Sequence, residues 1–143
     1  MAKKIDYFSL FARCALAFGF LSAVADRFGL WTPILGSGNV VWGNMESFTA
    51  YTGVLLPLVP KSLLPVFAWT ATAAEIVLGI LLIIGVQKRL VALFSGILLL
   101  TFAFSMFFSV SIKAPFDYSV FAAAACAFLL YKESGPESSG KHS

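Results

Sequence analysis

Four long apolar stretches with almost no charge inside them constrain this chain more than any other feature. The predicted helices that contain them cover approximately residues 5–28, 63–86, 89–112 and 115–131. Stretches of about 17–25 apolar residues are long enough to cross the hydrocarbon core of a bilayer as helices. Only helices and closed barrels satisfy their own backbone hydrogen bonds in lipid. The sequence therefore predicts an all-α fold, an integral membrane four-helix bundle.

The composition fits a chain that is solvated mainly by lipid. Hydrophobic residues make up 59% of the 143 residues, charged residues make up 12%, and the mean hydropathy is +0.90. A soluble domain carries about 25% charged residues on average and needs polar surface to cover its core. The formal net charge is +3. Because the basic residues flank the apolar stretches and form no patch, we expect no nucleic-acid partner.

The distribution of Lys and Arg predicts the orientation in the membrane. With the N-terminus inside, six basic residues lie on the inner side and three on the outer side, namely Lys3, Lys4, Lys88, Arg89, Lys132 and Lys141 against Arg27, Lys61 and Lys113. By the positive-inside rule, both termini are cytoplasmic and the protein lies in the cell inner membrane. We expect one transmembrane domain at residues 1–132 and a disordered polar tail at 133–143.

The first apolar stretch also has features of a secretory signal. Lys3 and Lys4 precede it, and Ala23-Val24-Ala25 resembles a cleavage site at its end. Arg13, however, falls at the edge of the would-be apolar core of such a signal. We therefore expect this stretch to be a retained first helix.

The longest connection, residues 26–62, lies on the outer side between helices one and two. Residues 40–56 are mostly apolar or aromatic, but too polar and too short to cross the membrane. We expect an interfacial helix at about residues 42–53, lying on or against the bundle. Such a helix either closes the mouth of a cavity or has no role beyond packing, and the sequence does not decide between these alternatives.

Two ionisable residues, Arg13 and Glu75, lie inside the predicted spans, where charges are costly and often functional. Arg13 follows Lys4 by nine residues, or about 14 Å along a helix, and Glu75 precedes Lys88 by thirteen residues, or about 20 Å. These depths are compatible with a buried pair, because an arginine side chain is long. The pair is either a structural bridge or a ligand or proton site, for example for a quinone headgroup.

Several polar residues are candidates for the surroundings of that pair. Thr72 lies on the same face of helix two as Glu75, and Thr101, Ser105 and Ser109 recur every four residues on helix three. We expect these hydroxyls to line the pocket. Nearer the outer surface we expect an exposed salt-bridge cluster that ties helix one to the loop before helix four, formed by Asp26, Arg27, Lys113 and Asp117.

Motifs for other chemistry are not present in the sequence. It has no phosphate-binding loop, no Ser–His–Asp set and no cluster of metal ligands. Its cysteines, Cys14 and Cys126, do not form a CxxC motif, and its single histidine is His142. The sequence thus predicts no catalytic residue, no metal site and no identifiable cofactor, and it leaves open whether the protein is an enzyme.

Several segments together resemble the DoxX-like family of small membrane proteins. They are Arg13 with the region of Gly19, the stretch YTGVLLPLVP, the stretch AWTATAAEIVLGILLIIGVQKR, and KAPFDYSVFAAAA. The resemblance implies four helices and a core similar in shape to that of vitamin K epoxide reductase. Arg13 and Glu75 match the buried charges of the family. The reductase chemistry is not implied, because this chain lacks the CxxC motif that it needs.

The resemblance also suggests a function, since the family takes its name from a membrane subunit of a thiosulfate:quinone oxidoreductase. We expect a membrane subunit of a redox system, with a pocket for a quinone or lipid and a surface for a partner protein. Because the chain has no electron carrier of its own, such a role needs a partner or a bound quinone. The alternatives are a scaffold or assembly factor and a small-molecule carrier. A homo-oligomer is compatible with each of them.

Overall fold

The computed structural model describes residues 5–135, and this part of the chain is all-helical, which confirms the all-α fold class. The helices are α1 (Tyr7–Arg27), α2 (Thr32–Leu35), α3 (Met45–Leu55), α4 (Leu64–Ile84), α5 (Lys88–Ser109), α6 (Ala114–Asp117) and α7 (Val120–Glu133). Short 3-10 turns lie at Ser37–Asn39 and Lys61–Leu63. The predicted tail begins at the last residue of α7, and residues 136–143, like Lys3 and Lys4, lie outside the described residues.

Three helical segments are long and apolar enough to cross a membrane, namely Tyr7–Arg27, Lys61–Ile84 and Lys88–Ser109. The fourth predicted span differs from the prediction because it is interrupted. α6 ends at Asp117, where the Ser119 N–H donates to the Phe116 carbonyl at 3.2 Å. Ser119 itself adopts a left-handed conformation (φ 54°) that redirects the chain into α7, which has only 14 residues.

The long helices run antiparallel to their neighbours. The start of α1 lies beside the end of α4, since Arg13 contacts the carbonyls of Leu82 and Ile83. The start of α1 also lies beside the end of α7, since Ser9 contacts Glu133. A short turn with a left-handed glycine, Gly85, joins α4 to α5. We call the end that holds these residues the inner end, and the opposite end the outer end.

Small residues allow the helices to approach closely. A Cβ on Gly79 of α4 would lie 2.9 Å from the side chain of Leu21 and 3.5 Å from the Ala17 carbonyl of α1. A Cβ on Gly96 of α5 would lie 2.7 Å from the ring of Phe128 on α7. Packing of this kind holds helices together where lipid removes the hydrophobic drive. The main buried cluster lies between α1, α4, α5 and α7 and includes Leu16, Ala17, Phe20, Leu82, Val91, Ala92, Ala127 and Leu130.

The long connection does contain a helix, α3, which packs mainly against α4 and more lightly against α1 and α5. Asn44 caps its start, accepting the Ser47 N–H at 2.7 Å. Its buried face carries Phe48, Thr52 and Leu55. The Ser109 hydroxyl at the end of α5 donates to the Leu55 carbonyl at 2.9 Å. We call residues 40–55, which cover the outer end of α1, the outer cap.

Candidate functional site at the outer end

A buried ion pair joins α1 to α4. Arg27, the last residue of α1, donates from Nη1 to Oε2 of Glu75 near the middle of α4. The same nitrogen donates to the Thr72 hydroxyl at 3.0 Å, one turn earlier on α4. Arg27 is 2% exposed and Glu75 is 3% exposed. The hydroxyl of Thr72 thus stands beside the pair, on the face of α4 where the sequence placed it.

Glu75 therefore pairs with Arg27 and not with the predicted partner, Arg13. The guanidinium of Arg13 donates instead to the carbonyls of Leu82 at 2.9 Å (from Nε) and Ile83 at 3.2 Å (from Nη2). The reason is the stagger of the two helices. α4 begins eleven residues before Glu75, or about 16 Å at 1.5 Å per residue, so Glu75 lies nearly level with the end of α1. The depths of Arg13 and Glu75, counted along each helix from the inner surface, did not reveal this stagger.

Aromatic side chains of the outer cap cover the guanidinium of Arg27. Its Cζ lies 3.6 Å from the ring centroid of Phe48 and 5.1 Å from that of Trp42. The two rings meet edge to face, with centroids 5.1 Å apart. A desolvated cation–π contact contributes about 2 kcal/mol or more. Both rings thus stabilise the charge that they shield from water.

Asp26, the neighbour of Arg27, fixes the backbone of the cap. Its carboxylate accepts the N–H groups of Val41 at 3.1 Å, Trp42 at 3.0 Å and Gly43 at 3.2 Å. Asp26 is only 6% exposed. Hydrogen bonds to a charged group are about twice as strong as neutral ones. Two consecutive residues thus join the end of α1 to two different segments: Asp26 binds the backbone of the cap, and Arg27 binds side chains of α4.

The predicted outer charge cluster is therefore not one exposed group. Asp26 and Arg27 are buried, each with its own partners. Lys113 and Asp117 are exposed and pair with each other, with Nζ at 2.8 and 2.9 Å from the two carboxylate oxygens. The difference arises because the connection after α1 folds back over the end of that helix, which the Lys and Arg pattern does not show.

Other residues of the cap complete the cover. The Met45 sulfur lies 3.9 Å from the hydroxyl of Thr72. The ring of Tyr51 lies 6.1 Å from that of Trp42. Burial raises the pKa of the Tyr51 hydroxyl, and the neighbouring Tyr118 raises it further, so that hydroxyl stays neutral. The Nε of Arg27 is buried without a hydrogen-bond partner in the described part of the chain. The contact of its guanidinium with the Phe48 ring offsets part of the cost of burying this N–H group.

The hydroxyl residues of α5 do not gather around the pair. Thr101 is exposed and donates to the carbonyl of Ile97 within its own helix at 2.8 Å. Ser109 donates to the carbonyl of Leu55 in the cap. Ser105 is half-buried. Because Thr101 and Ser109 donate to backbone carbonyls, their hydroxyls do not form a polar path along α5.

An open groove of about 410 Å³ runs between α1 and residues 31–42 of the long connection, which include the start of the outer cap. Its α1 side has small side chains or none, and its other side includes two indole rings. The residues that line it are Gly19, Ser22, Ala23, Asp26, Trp31, Leu35, Asn39, Val40, Val41 and Trp42. The Trp31 Nε1 donates at 3.1 Å to both the carbonyl and the hydroxyl of Ser22, which holds its ring in place. A flat, largely apolar molecule fits these walls better than an ion.

Sequence comparison adds no relative to this picture. No family model matches the chain, and neither a curated protein nor a solved structure is significantly similar to it. The function must therefore be argued from the geometry of the site. The sequence contained a partial signal for the buried Arg27, because the apolar and aromatic connection that follows it was expected to lie on or against the bundle.

Proposed function

We propose that the protein is a DoxX-like integral membrane protein of the inner membrane, with both termini cytoplasmic. In this proposal α1, α4, α5 and the α6–α7 segment cross the bilayer as a four-helix bundle. The exposure of the apolar surface supports it. Within the most apolar windows of the three long spans, only 22–33% of residues are buried, and Phe8 and Phe108 are 88% and 79% exposed. In water such surface is unfavourable by about 25 cal/mol per Å².

The function we propose is a non-catalytic membrane subunit of a redox system, which offers a binding groove to a lipid-soluble quinone. The observation that carries this proposal is the groove of about 410 Å³ between α1 and residues 31–42 of the long connection. Gly19 leaves its floor open, and Trp31 and Trp42 supply flat walls against which a ring can stack. Electrons would come from a partner protein, since the sequence has no CxxC motif.

In this proposal the Arg27–Glu75 pair positions the groove and does not bind the ligand. Trp42 contributes one wall, and its ring also covers the guanidinium of Arg27. Asp26 holds the backbone of the same residue. A rigid wall reduces the entropy that a ligand loses on binding. The pair would therefore act through Trp42.

A scaffold or assembly factor is the second candidate function. The burial of the pair favours it, because Arg27 and Glu75 are closed to solvent and a closed pair can fix helix arrangement alone. A scaffold needs no ligand in the groove. The two candidates thus differ in whether the groove is occupied in the native membrane.

Lipid extraction from the purified protein tests the redox-subunit proposal. Gly19→Leu should fill the groove without a backbone clash, because nothing lies within 4 Å of a Cβ at this position. The matched control is Phe18→Leu, since Phe18 is 64% exposed and lies outside the groove. Quinone measured by mass spectrometry should copurify with the wild type and the control and fall about tenfold in Gly19→Leu, a change of about 1.4 kcal/mol.

The opposite result would favour the scaffold. If no quinone copurifies, and added quinone shows no saturable binding to the wild type in nanodiscs, the redox-subunit proposal is wrong. A partner protein crosslinked in native membranes to the wild type and to Gly19→Leu alike would then support the scaffold function.

A further inference from the structure

A second and larger cavity, of about 1210 Å³, opens at the inner end. The start of α1, the end of α4, the start of α5 and the end of α7 surround it, and we call it the inner cleft. Five charged side chains line it, namely Asp6, Arg13, Lys88, Arg89 and Glu133. None of the five forms an ion pair within residues 5–135. Within these residues, the three basic and two acidic side chains thus face one cavity without forming ion pairs with each other.

The basic wall of the cleft comes from α1 and α5. A Cβ on Gly85 would lie 2.7 Å from Arg13 Nη2 and 3.4 Å from Lys88 Cε. The absence of a side chain at Gly85 therefore lets these two basic side chains converge. Arg89 donates to the Tyr131 hydroxyl at 3.1 Å and lies 4.8 Å from its ring centroid.

The basic wall favours the binding of an anion. Lys88 and Arg89 occupy the first turn of α5, where the helix dipole already presents positive charge. Arg13 adds a third cation, whose hydrogen bonds within residues 5–135 go to neutral carbonyl groups. A phosphate between these side chains would interact favourably with all three.

Ser9, one helical turn before Arg13 on α1, contacts both carboxylates of the acidic wall. Its hydroxyl oxygen is 2.6 Å from a carboxylate oxygen of Glu133 and 3.0 Å from Oδ2 of Asp6. A hydroxyl has a single hydrogen and can donate to only one of the two at a time. The N–H groups of Phe8 and Ser9 bind the other oxygen of Asp6, so the two oxygens that face Ser9 keep capacity for a further donor. A primary ammonium group, with three N–H bonds, would supply donors to both.

We propose that the inner cleft binds the headgroup of an aminophospholipid, with the phosphate between Arg13, Lys88 and Arg89 and the primary ammonium between Asp6 and Glu133. Ser9, whose hydroxyl contacts both carboxylates, lies one helical turn from Arg13, or about 5–6 Å, which suits the two-carbon link between these groups in phosphatidylethanolamine. Ile5 and Leu10 line the cleft and are exposed, so they can contact the acyl chains. The inference rests on the membrane insertion in the proposed function.

Competition between lipids tests this inference. The protein is reconstituted into liposomes with equal amounts of phosphatidylethanolamine, phosphatidylcholine and phosphatidylglycerol, and the lipids retained after mild detergent extraction are counted by native mass spectrometry. Phosphatidylethanolamine should be retained about tenfold over the other two, since a charge-assisted hydrogen bond has about this effect on affinity. Phosphatidylcholine has the same phosphate, but its quaternary ammonium donates no hydrogen bond.

Two variants separate the two walls. Glu133→Gln should abolish the preference over phosphatidylcholine while phospholipid is still retained. Lys88→Gln should lower the retention of all three lipids. Lys113→Gln is the matched control, because Lys113 is an exposed lysine outside the cleft, and it should behave like the wild type.

Three results would overturn the inference. Equal retention of the three lipids would exclude a site for the ammonium group. Displacement of the lipid by millimolar soluble phosphoethanolamine would assign the cleft to a soluble zwitterion. Absence of retained phospholipid, with the protein still resistant to carbonate extraction from membranes, would overturn the inference alone. Release of the protein by carbonate would instead contradict the membrane insertion in the proposed function.

Discussion

The two arginines of α1 lie at opposite ends of the molecule and differ in almost every respect except residue type. Arg27 is 2% exposed, pairs with a carboxylate and is covered by two aromatic rings. Arg13 is half-buried, borders a cleft of about 1210 Å³ and, within residues 5–135, donates to backbone carbonyls only. Among these residues the outer arginine has a carboxylate partner, whereas the inner one has none. The difference supports a structural role for Arg27 and the ligand-binding role that we propose for Arg13.

The largest effect should come from breaking the outer pair. Glu75→Gln leaves the charge of Arg27 buried and uncompensated, and we expect it to lower stability by about 3–5 kcal/mol. Thermal unfolding of the detergent-purified protein measures this. Asp117→Asn is the control, because the exposed Lys113–Asp117 pair should contribute about 0–1 kcal/mol. Similar losses in both variants would contradict the structural role of Arg27.

Removing both charges should restore much of that loss. In Arg27→Met with Glu75→Leu neither charge of the pair is left without its partner, and apolar replacements of buried pairs are often neutral or stabilising by about 1–4 kcal/mol. We expect the double variant to unfold at a higher temperature than Glu75→Gln alone. If the double variant is the less stable of the two, the pair provides more than charge compensation.

A smaller effect is expected for the residue that holds the cap. Asp26→Asn keeps the shape of the side chain but removes the charge that accepts three N–H groups. We expect a loss of about 1.5–3 kcal/mol, concentrated in residues 40–55. In Asp26→Asn, hydrogen exchange in residues 40–55 should be faster than in the wild type, whereas exchange in α4 should keep the rate of the wild type. Uniformly faster exchange in both segments would show that the cap and α4 unfold together.

The smallest effect concerns the inner end. The Ser9 hydroxyl, and then the N–H groups of Ser9 and Phe8, lower the pKa of Asp6 below its usual 3.8. Because the pKa of Asp6 is lower in the folded state, the stabilisation from its capping hydrogen bonds is fully present above the usual value. It is lost as the pH falls through the lowered pKa. We expect the first turn of α1 to exchange faster with solvent as the pH is reduced below about 3.8, after correction for intrinsic exchange rates. In Asp6→Asn this extra pH dependence should disappear.

The sequence predicted the helical parts of this picture better than the pairing of charges. Apolar stretches and helix ends are local features, so α1, α4 and α5 follow from the hydropathy and from turn residues such as Gly85. The break at Ser119 was missed because a short polar segment such as Asp117–Ser119, near the start of an apolar stretch, does not by itself specify a left-handed residue. The partner of Glu75 was missed because it depends on the stagger between α1 and α4 and on how the connection folds back. Both are tertiary features that no local pattern specifies.

The position of Arg27 at the very end of α1 has a consequence for biogenesis. In the proposed topology this residue reaches the outer surface during insertion, where water hydrates it. The residues that enclose Asp26 and Arg27, namely residues 41–43, Phe48, Thr72 and Glu75, are all synthesised later. In that topology folding closes off the charge after insertion, and the order of synthesis separates the cost of translocating the arginine from the cost of dehydrating it.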